Sequence, residues 1–219
     1  MYFGKSVENL VKENYIFSGK TIEYNFNQFK NGTKNILFIT GLSGSGKSTL
    51  ANKLAKEYNA IVFNLDLFEW NGDLYFDQNK KIKLEDLPEN LKVMREVFEK
   101  QFSGYQNFKS VEDEEFSKIS CIFYHNLIEY AKNHKDKKFI IEGLQIMRFG
   151  GRIYNEMKEY PLIIVETSAL KSLYRRYNRD KESDDGSFKN PWNIIKWYIN
   201  SEENKKKFER NIKKDKIIE

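Results

Sequence analysis

Asn35-Ile-Leu-Phe-Ile-Thr-Gly-Leu-Ser-Gly-Ser-Gly-Lys-Ser-Thr49 is the stretch on which the reading of this chain turns. The apolar run Ile36–Thr40 leads into a glycine-rich turn, and Leu50, Ala51, Leu54 and Ala55 follow at helical spacing. Strand, loop and helix thus surround a full G-x-x-x-x-G-K-[ST] pattern running from Gly41 to Ser48. Gly41, Gly44 and Gly46 permit dihedrals closed to other residues and let backbone approach an anion closely. Gly41, Leu42, Ser43, Gly44, Ser45 and Gly46 then form a nest of inward N–H groups. Lys47, Ser48 and Thr49 open a helix whose dipole and first-turn donors favour the same anion. Lys47 suits the β- and γ-phosphates of a nucleotide. The Ser48 hydroxyl suits Mg²⁺, a hard cation that takes oxygen ligands.

Length and composition set the bounds. A chain of 219 residues holds one large domain or two small ones. It is 40% hydrophobic and 32% charged, an ordinary balance for a soluble protein. A net charge of +5 fits anionic small molecules and argues only weakly for nucleic acid. The single cysteine, Cys121, excludes an internal disulfide and a cysteine-rich zinc site. His125 and His134 are too few to make a metal cluster alone and read as structural or solvated. No apolar run reaches membrane-spanning length and the N-terminus has no signal-peptide core, so a cytoplasmic location is the expectation.

The rest of the chain alternates strand and helix patterns. Lys20–Phe26 reads as a short edge strand or hairpin, Ala60–Leu65 as the second core strand, Lys138–Glu142 as the third and Leu162–Glu166 as the fourth. Lys216–Glu219 is a candidate terminal strand. Helices are expected at Lys47–Tyr58, 91–102, 112–133, 169–179 and 191–213. In the second-last but one of these, Phe116, Ile119, Ile122, Phe123, Leu127, Ile128 and Ala131 are spaced for one apolar face. The lysines at 132–138 and 205–214 read as solvated faces. The expected fold is α/β, a three-layer P-loop arrangement with a parallel central sheet and a helical lid and insertion. It forms a single domain over 1–219, with an N-terminal extension at 1–34, an acceptor-binding insertion at 67–110 and a lid at 169–189. Long excursions such as 67–110 commonly bind substrate.

In parallel sheets, ligands bind beyond the carboxyl ends of the strands. Asp66 follows the second strand, where a carboxylate accepts a proton from an attacking hydroxyl or holds Mg²⁺ through water. Glu69 and Asp73 are near enough in sequence to share that role. Glu142 ends the third strand and reads either as a water-mediated Mg²⁺ contact or as a plain turn cap. Motor-type ATPases usually carry an Asp-Glu pair there, with the Glu polarising water; a lone Glu142 before Gly143 favours transfer to an acceptor. Arg175, Arg176 and Arg179 cluster on one basic helix and suit a phosphoryl group in flight, though Arg176 is also spaced to pair with Asp180. Arg148 and Arg152 flank two glycines and either meet an anionic acceptor or sit in a plain loop. Trp70, Tyr75 and Tyr105 stack on a flat acceptor or simply pack.

Gly41–Thr49, Asp66, Glu142-Gly143 and Glu166-Thr-Ser168 leading into Arg175-Arg-Tyr-Asn-Arg-Asp180 together resemble the P-loop kinases of small molecules. The nearest likeness is to the uridine kinase and phosphoribulokinase group, and the loop also resembles that of adenylylsulfate kinases. Polynucleotide kinases and zeta-type toxin kinases share the loop and the second-strand Asp. The resemblance implies ATP and Mg²⁺ bound by Lys47 and Ser48, Asp66 as base, and lid arginines closing over the phosphates. It covers about half the chain. Residues 1–34, the 67–110 insertion and the C-terminal helix with Trp192, Trp197 and Tyr198 fall outside it. The expected partners are a nucleotide and a small-molecule acceptor, with nucleic acid less favoured.

Overall fold

The computed structural model describes residues 20–65, 89–102, 113–148, 154–167, 171–172, 174–175 and 191–216. At its centre is β2 (Ile36–Gly41), every residue of which is buried. Such a continuous apolar strand requires neighbours on both edges and cover on both faces. Two parallel strands flank it. β4 (Lys138–Glu142) aligns with Ile36–Ile39, and β5 (Leu162–Glu166) aligns with Phe38–Gly41. β3 (Ala60–Asn64) runs parallel to the far edge of β4, and β1 (Lys20–Tyr24) runs antiparallel to β5. The order is β1-β5-β2-β4-β3. The chain leaves β2 for the far edge, returns to β4, then passes over β2 to β5. That change of direction puts the carboxyl end of β2 at the topological switch point.

The sheet is therefore mostly parallel: the expected parallel core is joined by the edge strand expected near Lys20, which runs antiparallel. An antiparallel edge needs only one covered face: Ile22 and Tyr24 pack onto the core while Lys20 and Glu23 stay exposed. The terminal strand anticipated from Lys216 does not begin there. Lys216 closes a long helix, α7 (Pro191–Lys216), which Phe208 and Ile212 anchor in the core four residues apart. Residues 217–219 lie outside the described residues.

Helices complete three layers. On one face lie α1 (Phe26–Lys30) and α2 (Lys47–Tyr58), whose Phe29, Leu50, Ala51 and Leu54 meet Leu37, Ile39, Ile140 and Val165. Asn59 ends α2 in the left-handed region, its N–H donating to the Ala55 carbonyl. The other face carries α3 (Glu89–Phe102), α4 (Asp113–Asn133) and α7, packed on Phe38, Phe63, Phe139 and Ile164. Short helices α5 (Gln145–Arg148) and α6 (Tyr154–Met157), which the sequence pattern did not reveal, join β4 to β5. In α4 the buried face follows a four-residue rhythm through Ile119, Phe123, Leu127 and Ala131. Ile122 falls out of that rhythm and is exposed, contrary to expectation, and Tyr124 is buried instead. Asn35 ties the start of β2 to the end of α4: its Nδ2 donates to the Ala131 carbonyl at 2.8 Å, satisfying a helix-end acceptor. Among the described residues, no helix is long and apolar enough to cross a membrane.

Candidate functional site

The carboxyl end of β2 turns directly into residues 41–46. Gly44 and Gly46 adopt φ of 79° and 97°, the left-handed region that side-chain-bearing residues avoid. Gly41 is required by space as well. A Cβ there would stand 2.5 Å from the Val165 carbonyl oxygen, and one on Gly44 would stand 2.8 Å from that of Ser172. Gly46 caps α2 with no side chain, and the first helical bond runs from the Leu50 N–H to the Gly46 carbonyl at 3.0 Å. The donors of the first turn therefore face the concave side of the loop, a nest suited to an anion. Lys47 is only 5% exposed, while Ser48 and Thr49 are half-buried. Ser45 Oγ is buried and has no hydrogen-bond partner among the described residues.

The floor of the loop is fixed by β4. The Gly143 N–H donates to the Ile39 carbonyl at 3.2 Å, and Thr40 Oγ1 donates to the Gly143 carbonyl at 2.9 Å. Glu142 is fully buried, level with Ile39 on one side and Asn64 on the other. Strand alternation aims it to the face that α2 covers, since Ile140 two residues earlier packs there. Gly143 is closely packed: a Cβ would stand 2.9 Å from Leu65 Cβ and 2.7 Å from Gln145 Oε1, so a side chain there requires its neighbours to move.

On the other flank, Glu166 ends β5 and accepts a bond from Lys205 Nζ of α7 at 3.0 Å; Glu209 lies 3.4 Å from the same ammonium. The Lys205 side chain is 12% exposed, so this lysine is not part of a solvated face as its run suggested. Burial alone pulls its pKa down. The bond to Glu166 and the charges of Glu209 and Glu202 outweigh that, and the net direction is up. The signal was present in sequence: Lys205, Phe208 and Ile212 share one helical face.

A helical turn docks on the loop from the third side. Ser172 Oγ donates to the Ser43 carbonyl, and Arg175 Nη1 donates to the Gly44 carbonyl at 3.1 Å. Arg175 thus reaches the loop expected to bind phosphate. Ser172, fully buried, was missed by sequence reasoning; its signal is the three-residue spacing to Arg175. Asp66, Glu69, Trp70, Asp73, Tyr75, Tyr105, Arg152, Arg176, Arg179 and Asp180 lie outside the described residues, as do the side chains of Arg148 and Trp197. Trp192 is exposed on the first turn of α7.

Elsewhere, a cleft of about 580 Å³ between α3 and α4 is lined by Val97, Lys100, Asn126, Tyr130 and His134. None of its lining residues belongs to residues 41–49, so it is separate from the loop. His134 stacks on Tyr130 with centroids 4.0 Å apart, and its Nδ1 lies 2.8 Å from the Tyr130 carbonyl oxygen, a structural arrangement. No protein-family model matches the chain, and no curated protein matches it.

Proposed function

We propose that this protein transfers the terminal phosphoryl group of ATP to a hydroxyl of a small molecule or nucleoside. The observation that carries the reading is the loop itself: left-handed glycines at 44 and 46 and a closely packed Gly41 wrap an uncapped helix start at the carboxyl end of the central strand. A polyphosphate fits that cradle by charge and by the spacing of backbone donors. Lys47, the first residue of α2, adds a cation next to the loop, where burial leaves its charge weakly screened. Arg175, bonded to the Gly44 carbonyl, brings a second cation, a guanidinium, to the edge of the loop.

The hydroxyl of Ser48 and the carboxylates of Glu142 and Asp66 are the hard oxygen donors that fit Mg²⁺. When bound, the cation neutralises charge between the β- and γ-phosphates. Asp66, two residues beyond the end of β3, accepts the proton of the attacking hydroxyl in this reading. Gly143 supports transfer over hydrolysis, because the position after Glu142 carries no carboxylate of the kind that polarises water in motor-type ATPases. Arg176 and Arg179 follow Arg175 in sequence and supply the remaining charge of the lid.

The test is a panel of metabolites, nucleosides and oligonucleotides incubated with γ-labelled ATP. Label is expected on one hydroxyl-bearing class, absent in Lys47→Ala, and absent in Asp66→Asn although that variant still binds ATP. Hydrolysis that no acceptor stimulates would replace this reading with a nucleotide-dependent switch.

A further inference from the structure

One side-chain cluster stands apart from the loop and is used by nothing described so far. His125 and Glu129 lie one turn apart on α4, and Glu156 approaches them from α6. His125 Nδ1 is 2.8 Å from Glu156 Oε1, and one donor atom from each of the three residues falls within 4.8 Å of the others. The geometry points to a transition-metal site, with Zn²⁺ as its best-fitting occupant, that staples α6 to α4.

The donor chemistry selects the ion. One imidazole nitrogen and two carboxylate oxygens form a borderline set that suits Zn²⁺, Co²⁺ or Ni²⁺, whereas Mg²⁺ prefers oxygen alone and keeps its waters. Zinc bonds of about 2.0–2.2 Å in a tetrahedron put neighbouring donors roughly 3.3 Å apart. The cluster brackets that separation, so small rotations of half-exposed side chains reach it. Three protein donors leave a fourth position for water. One further feature points the same way: Glu156 Oε2 is buried without a hydrogen-bond partner among the described residues, leaving an acceptor to be satisfied. One interaction competes: Lys132 Nζ bonds Glu129 Oε1 at 2.7 Å, and a metal must take the other oxygen or displace the lysine.

The experiment is a Co²⁺ and Zn²⁺ titration of the nucleotide-free full chain, stripped of transition metals and held in excess Mg²⁺, read by calorimetry, visible absorption and thermal melting. One equivalent is expected, with a melting temperature that rises with Zn²⁺. His125→Ala and Glu156→Gln should each weaken binding at least tenfold and remove the rise. His134→Ala, which removes the chain's other imidazole, should leave affinity within twofold, and Lys132→Met should tighten it. Both cluster variants are checked for native melting without metal, and Glu156→Gln preserves shape where His125→Ala does not. No uptake by wild type, or equal affinity in Glu156→Gln, overturns the site. So does loss of binding in His134→Ala. None of these results bears on nucleotide binding.

Discussion

Glu142 and Glu166 end the two strands that flank β2, one residue type at one kind of position, yet they live in different chemistry. Strand alternation points Glu142 to the α2 face, where it is fully buried beside the start of the loop helix. One strand over, Glu166 points to the α7 face and holds Lys205. Both strands are five residues long, so register against β2 decides the face: Glu142 stands opposite Ile39 on the α2 side, whereas Glu166 falls one position beyond the Val165–Gly41 pair and turns to α7. Residue identity at a strand end is therefore a weaker signal than residue identity combined with register.

The variants that probe this contrast run from large effects to small. Lys47→Ala should lower acceptor-dependent transfer by about a hundredfold to a thousandfold, the scale of losing a group that stabilises transition-state charge. Next comes the pair Glu142→Gln and Glu166→Gln. Steady-state kinetics should show the first losing at least tenfold in kcat while the second stays within twofold; equal losses would break the distinction between the two flanks. Gly143→Ala should destabilise the fold by about 1–3 kcal/mol in urea unfolding, because its methyl meets Leu65 and Gln145. Lys205→Met is the mildest, costing about 1 kcal/mol for a partly exposed ion pair. Its pH dependence carries a sign. The folded pKa of Lys205 is raised, so its contribution is full below the ordinary value of 10.5 and fades as pH climbs through the higher folded value. The gap in melting temperature between Lys205→Met and wild type should hold from pH 7 to 10 and shrink above that.

Much of the central sheet was legible in the sequence. Strands buried on both faces leave apolar runs such as Phe139–Ile141 and Leu162–Val165, and the glycine spacing of 41–46 is tied to local backbone geometry. Less visible were features set by tertiary packing. The antiparallel placement of β1 depends on pairing with β5, some 140 residues away in sequence. Helices α5 and α6 are single turns, too short to show a period. Lys205 was hidden inside a lysine run, and Ser172 beside a more conspicuous arginine cluster. The His125–Glu156 contact joins α4 to α6 across 31 positions, so no local spacing announces it.

If the loop after β2 grips a polyphosphate, isothermal calorimetry of the folded, full-length protein with Mg²⁺-ATP should show saturable binding near one equivalent, lost in Lys47→Ala at unchanged melting temperature. Absence of heat from wild type, or the same affinity in both proteins, would mean that the loop does not bind the nucleotide.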